Sequence, residues 1–164
     1  MPDASDTQTG GPSARAVGRL LALDLGAKRV GVALSDEMRL TVRPLPALRR
    51  SNWKQLGGEI AALCESFDVK QVVVGLPLRL DGTEGDAAAD ARRAAETLQA
   101  ALRLPVHLQD ERLTSFAAEE NLREQGFSRE EIKKRVDSEA AALILRDFIE
   151  QGFAGGLPDS SGFK

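Results

Sequence analysis

The stretch "RLLALDLGAKRVGVALSD", Arg19 to Asp36, decides how this chain is read. The residues from Leu20 to Leu25 are apolar except for Asp24, and an ionised carboxylate in an apolar strand is costly unless something compensates it. Leu20 to Asp24 reads as a short strand, Gly26 opens a turn, and Val30 to Ser35 alternates into a second strand. "LTVRPLPAL", Leu40 to Leu48, is extended but broken by Pro44 and Pro46, as an edge strand tolerates. Three strands with short connections predict an antiparallel meander.

Beyond the meander the pattern changes. From Trp53 to Phe67, the residues Leu56, Ile60, Leu63, Cys64 and Phe67 recur at helical spacing, despite the helix-weakening pair Gly57-Gly58. "QVVVGLP", from Gln71, is a continuous β-branched run of the kind buried on both faces of a parallel sheet. After the loop "LRLDGTEGD" an Ala-rich helix is predicted from Asp86 to Leu102, followed by a strand in "PVHLQDE" that ends at Glu111. Ser115 caps a helix through Gln125, Ser128 starts a short helical turn, and "DSEAAALILRDFIEQG" predicts a last helix that opens at Asp137 and ends near Gly152. The order βββαβαβα predicts an α/β fold with one mixed five-stranded sheet, three antiparallel strands and then parallel βαβ units, flanked by helices.

Length and composition agree with one domain, expected over residues 17–153, between polar tails at 1–16 and 154–164. Of 164 residues, 42% are hydrophobic, enough for an ordinary core. The 22 basic and 25 acidic residues give a net charge of -3, so a nucleic-acid partner would have to be met by local basic residues rather than by an overall positive field. One cysteine, Cys64, and one histidine, His107, exclude an internal disulfide and leave oxygen ligands for any metal. His107 receives no chemical role. No segment approaches the roughly 20 apolar residues of a membrane span, and no leader pattern opens the chain, so a cytoplasmic protein is expected.

In an open sheet with parallel strands, ligands sit beyond the carboxyl ends of those strands. Asp24 ends the first strand, Glu111 the last, and Asp137 opens the final helix, so the topology can bring all three to one edge. Carboxylates without histidine or cysteine suit Mg²⁺ or Mn²⁺. Each acid also has an ordinary alternative: a turn residue for Asp24, a surface pair with Arg112 for Glu111, an N-cap for Asp137.

"LALDLGAKRVGVALSD", "VVVGLPLRLDGTEG", "QDERLTS" and "VDSEAAALIL" resemble, in this order, the blocks of the YqgF family, also called RuvX, over nearly everything from Gly18 to Gly152. The resemblance implies a ribonuclease H-like fold and a metal-dependent nuclease related in fold to the RuvC junction resolvases. The expected activity is maturation of the 5′ end of small-subunit (16S) ribosomal RNA, with resolution of Holliday junctions in DNA as the alternative. It further implies that Asp24, Glu111 and Asp137 are the catalytic acids and hold two Mg²⁺ or Mn²⁺ ions, with Asp24 bridging them. Glu139, two residues beyond Asp137, points about 200° away from it on a helix, which argues against shared coordination.

The phosphate backbone would be gripped by Lys28, Arg29, Arg79 and Arg112. Arg43, Arg49, Arg50 and Lys54, and separately Lys133, Lys134 and Arg135, form two further basic clusters. Gly82 and Gly85 give the loop before the Ala-rich helix the mobility of a phosphate-contacting segment. A junction resolvase would need paired sites and hence a symmetric homodimer, whereas trimming of RNA ends would not. Two rivals stand beside the nuclease: an ATP-using protein of the sugar-kinase and actin type, suggested by "DLGAKRVG" but short of the second half such proteins carry, and a non-catalytic nucleic-acid-binding module.

Overall fold

The computed structural model describes residues 17–111 and 114–155, the side chains of 114–116 and 153–155 excepted. Arg112, the tail at 1–16, residues 156–164 and the capping side chain of Ser115 therefore lie outside the described residues. Five strands and four helices follow in the order β1 (Arg19–Leu25), β2 (Arg29–Ser35), β3 (Val42–Arg49), α1 (Trp53–Ser66), β4 (Val69–Leu76), α2 (Asp86–Leu102), β5 (Val106–Asp110), α3 (Thr114–Glu124) and α4 (Arg129–Gly155). The sheet is ordered β3-β2-β1-β4-β5. β1–β2 and β2–β3 are antiparallel, while β1–β4 and β4–β5 are parallel, so the meander and the βαβ units share β1 as their central strand.

Strand alternation divides the core in two. Leu21, Leu23, Val72 and Val74 face a layer made by Leu56, Ile60 and Cys64 of α1 and by Ala88, Ala91, Ala95 and Leu98 of α2. Leu20, Ala22, Ala33 and Val73 face Ala141, Ile144, Leu145 and Phe148 of α4. The valine run of β4 is buried on both sides, as its composition predicts. Helix α1 is capped by Asn52, whose side chain accepts from the Gln55 N–H at 2.9 Å, and the burial of Leu56, Ile60 and Cys64 offsets the cost of Gly57-Gly58.

The last helix departs from the expectation. Asp137 does not open it: α4 runs unbroken from Arg129, and Asp137 lies in its interior. Ser128 and Glu131 form a reciprocal capping box, with the Glu131 N–H donating to Ser128 Oγ at 3.2 Å and the Ser128 N–H to Glu131 Oε1 at 3.1 Å. The polar first quarter, "REEIKKR", shows no buried face and so resembles a loop in sequence, yet capping and continuity with the rest of the helix keep it helical. Glu111 likewise lies one residue past β5, its N–H bonded to the Leu76 carbonyl at 3.1 Å. Among the described residues no helix is long and apolar enough to cross a membrane.

Candidate carboxylate site at the end of the sheet

Asp24 shares the α4 face of β1 with Leu20 and Ala22. Its antiparallel partner is Gly31, and Leu23 is in register with Val74, which sets Asp24 beside Gly75. The absent side chains on both flanks build the site. A Cβ at Gly31 would overlap the Asp137 carbonyl and stand 3.0 Å from the Ser138 nitrogen, so only glycine lets α4 settle this close to β2. Ser138 Oγ then accepts the Val32 N–H at 3.2 Å, pinning the helix one residue beyond Asp137. A Cβ at Gly75 would overlap Glu111 Oε2 and crowd Ile144, so glycine there leaves the space into which Glu111 folds back.

The Asp24 and Glu111 side chains lie within hydrogen-bonding reach of one another, so the two carboxyls titrate as a pair. Burial raises the Asp24 carboxyl above its usual range, against the Glu111 hydrogen bond and with the Asp137 charge. Burial and the Asp24 charge push Glu111 up to about 9. Two neighbouring carboxyls, both raised by burial, favour a cation that offsets their charge.

Asp137 lies within electrostatic reach of Asp24 but is turned to Arg29, whose Nε donates to Oδ2 at 3.2 Å. Among the described residues no group of three or more His, Cys, Asp or Glu side chains is close enough to hold a metal ion together. The structure thus brings Asp24 and Glu111 into contact and delivers Asp137 alongside them, partnered by the basic residue expected to meet phosphate.

The other basic residues divide. Lys28 is exposed beside the β1–β2 turn, and Arg50 braces that turn, donating to the Gly26 carbonyl at 2.9 Å and to Asp90 at 2.7 Å. Arg79 is exposed in the β4–α2 loop but tied into it, its Nη1 donating to Thr83 Oγ1 at 3.3 Å and the Glu84 carbonyl at 3.1 Å. Glu84 in turn takes both Nε and Nη2 of Arg92, at 2.8 and 2.6 Å. The loop read as mobile from its glycines is therefore internally braced. Glu139 points away from the carboxylate pair, as helical geometry predicts, and accepts from Asn121 Nδ2 of α3 at 2.6 Å. His107 is a packed strand residue, its Nε2 2.8 Å from Gln71 Oε1 and its ring against Phe148.

Gly31 and Gly75 are the site-forming residues that motif reading missed. A glycine in the middle of an apolar strand was their available signal, because it marks a close approach of other atoms.

A mixed five-stranded sheet of this order, flanked by helices, is the ribonuclease H-like fold. The T. thermophilus RuvC structure in complex with a Holliday junction substrate shares this fold, with a TM-score of 0.53, 15% identity, and coverage of 82% of this chain and 96% of that one. The family model described as "RuvX: Holliday junction resolvase" matches residues 18–151, and the chain belongs to the RuvX family. A relative from Anaeromyxobacter sp. (strain Fw109-5), named "Putative pre-16S rRNA nuclease", is 48% identical over 132 residues, covering 80% of this chain and 96% of the relative. One of the same name from Syntrophus aciditrophicus is 45% identical over 132 residues, covering 80% and 88%.

Proposed function

We propose that this protein is a divalent-metal-dependent nuclease that hydrolyses phosphodiester bonds in structured RNA and matures the 5′ end of the 16S ribosomal RNA precursor. The observation that carries the reading is the hydrogen-bonded Asp24–Glu111 pair beyond the carboxyl ends of the parallel strands, in a chain of the RuvX family. The relatives named for pre-16S rRNA support the choice of substrate.

The donor set fits hard cations: it is all oxygen, and burial raises both carboxyls of the Asp24–Glu111 pair. Asp24, Glu111 and Asp137 would hold Mg²⁺ or Mn²⁺, which supply Lewis acidity at the attacking water and at the leaving 3′ oxygen. The chain's own residues then have separable tasks. Asp24, central in the sheet, interacts with both other acids and would hold the metal together with them. Glu111, raised by burial, would have to be ionised to serve as a ligand. Arg29 holds Asp137 by a single contact on an exposed side chain, and a substrate phosphate competes for that guanidinium, leaving the carboxylate to the site. Lys28 and Arg79 flank the same end of the sheet and position the phosphate backbone, and Arg112 adjoins Glu111 in sequence.

The family's description as a junction resolvase favours a second reading, cleavage of branched DNA. A labelled 16S precursor leader and a four-way DNA junction, each incubated with Mg²⁺ or Mn²⁺, separate the two. Cleavage of the RNA to a 5′ phosphate end is expected. Symmetric nicking of the junction by a dimer in sedimentation would transfer the assignment to DNA, and binding without cleavage of either would make the protein a non-catalytic module.

A further inference from the structure

The β1–β2 turn and the end of β3 meet beside the carboxylate site, and both are basic. From Gly26 to Val30 and from Leu48 to Lys54 the chain holds five cations, Lys28, Arg29, Arg49, Arg50 and Lys54, and no acid. Arg50 is engaged within the fold, on Asp90 and the Gly26 carbonyl. Arg29 and Arg49 differ from it, because the sheet sets them directly opposite one another across β2 and β3. The next pair in register, Val30 and Leu48, turns to the core under α1 and α2. Arg29 and Arg49 therefore both project from the α4 face, where Arg29 meets Asp137. Arg29 lies two residues before Gly31, the strand partner of Asp24, which is about 7 Å along β2, and Arg49 is one strand further out.

Like charges directly opposite on antiparallel strands destabilise the pairing. Asp137 offsets only one of these two, and it does so through Nε alone. Among the described residues the terminal nitrogens of Arg29 and the exposed guanidinium of Arg49 meet no acceptor. One anion resolves both features at once. A phosphate offers several oxygens to two guanidinium forks, and its charge turns a mutual repulsion into two attractions. The position, beside carboxylates suited to phosphodiester chemistry, selects a backbone phosphate of the bound strand as that anion.

We infer that Arg29 and Arg49 form a two-arginine clamp for a substrate phosphate next to the scissile one, on the β3 side of the carboxylates, with Arg49 as a positioning residue. The inference rests on the nuclease reading and gives a task to a residue that this reading leaves without one. Arg49 also tips the competition for Arg29, because the phosphate gains two guanidinia where Asp137 holds one.

The test is the salt dependence of binding. The full-length protein in EDTA is titrated with a 5′-fluorescein single-stranded RNA dodecamer at several salt concentrations. Arg49→Gln is expected to weaken binding about five- to tenfold and to lower the log–log salt slope by about one. Arg43→Gln removes the same charge from the opposite face of β3, where Arg43 lies over the Phe67 ring, and should leave the slope unchanged. Because both arginines hold one phosphate, the Arg29→Gln/Arg49→Gln double variant should lose less binding free energy than the two single losses together. Thermal unfolding of Arg49→Gln should show a melting temperature no lower than that of the unaltered protein, since a like-charge pair is relieved. Phenylglyoxal modification needs no variant: the RNA should protect Arg49 and leave Arg43 reactive. Unchanged affinity and slope in Arg49→Gln, a lowered melting temperature, additive losses in the double variant, or no protection of Arg49 overturns the clamp and leaves the nuclease reading intact. Cleavage by a protein that does not bind this RNA in EDTA does the same. Failure of the unaltered protein to bind this RNA and to cleave either nucleic acid overturns both.

Discussion

Burial makes Asp24 and Glu111 reluctant to ionise together, and this sets what each substitution should do. Asp24→Asn keeps the shape of the side chain and removes the charge, so cleavage should fall by at least about 10²–10³-fold with the circular-dichroism spectrum unchanged. Turnover within tenfold of the unaltered protein would sink the assignment of Asp24. Glu111 predicts a pH dependence in the metal-free protein. Its folded value is raised to about 9 from an ordinary 4.5, so the native state keeps a proton that the unfolded chain has lost. The stabilisation is complete below about pH 4.5 and is lost as pH rises through about 9, with a slope of at most about 1.4 kcal/mol per pH unit for one proton. Urea unfolding in EDTA at pH 5, 7 and 9 should trace this decline, and Glu111→Gln should flatten it. Asp24 was legible in the sequence as an acid out of place, whereas its meeting with Glu111 was not, because that depends on two side chains 87 positions apart coming together in space.

The element that assembles the site is α4. Its interior, rather than its N-terminus, presents Asp137, so the ordinary reading of that residue as a helix cap is excluded. The sequence hid this because "REEIKKR" has no apolar face to display a helical period. What the helix needs is proximity to β2, granted by the missing side chain of Gly31 and secured by the Ser138–Val32 hydrogen bond. Gly31→Ala should therefore push α4 off the sheet, costing about 1–3 kcal/mol in stability. The accompanying loss of cleavage should approach a hundredfold, since an ångström of misplacement at a reacting centre has that effect. Gly57→Ala is the control: nothing lies within 4 Å of a Cβ there, so the same exchange should be neutral or stabilising. Equal losses in both variants, read by thermal unfolding and initial rates, would show that backbone propensity rather than helix approach sets the effect.

Across the whole molecule, the acids come from β1, from the residue after β5 and from α4, so a cation held by all three ties the central strand, the edge of the parallel half and the last helix together. Mn²⁺ at about 100 times its dissociation constant should stabilise the fold by about 2.7 kcal/mol, raising the melting temperature by roughly 5 °C or more. Asp24→Asn should abolish that increment. An equal rise in both proteins would place the bound ion elsewhere.

The sequence by itself determined the mixed sheet, with its antiparallel meander followed by parallel βαβ units and helices closing the chain, and the doubly buried β4, because apolar period and turn residues are local signals. It also placed Glu139 away from Asp137, a consequence of helical pitch alone. Only the tertiary structure decided that α4 is one helix, that the glycine-bearing loop is braced by Arg79 and Glu84, that Asp137 is held by Arg29, and that Asp24 and Glu111 meet. Those outcomes depend on distances between segments remote in the chain. At Gly31 and Gly75 that distance is set by the absence of a side chain, which becomes legible only when the element packed against it is in place.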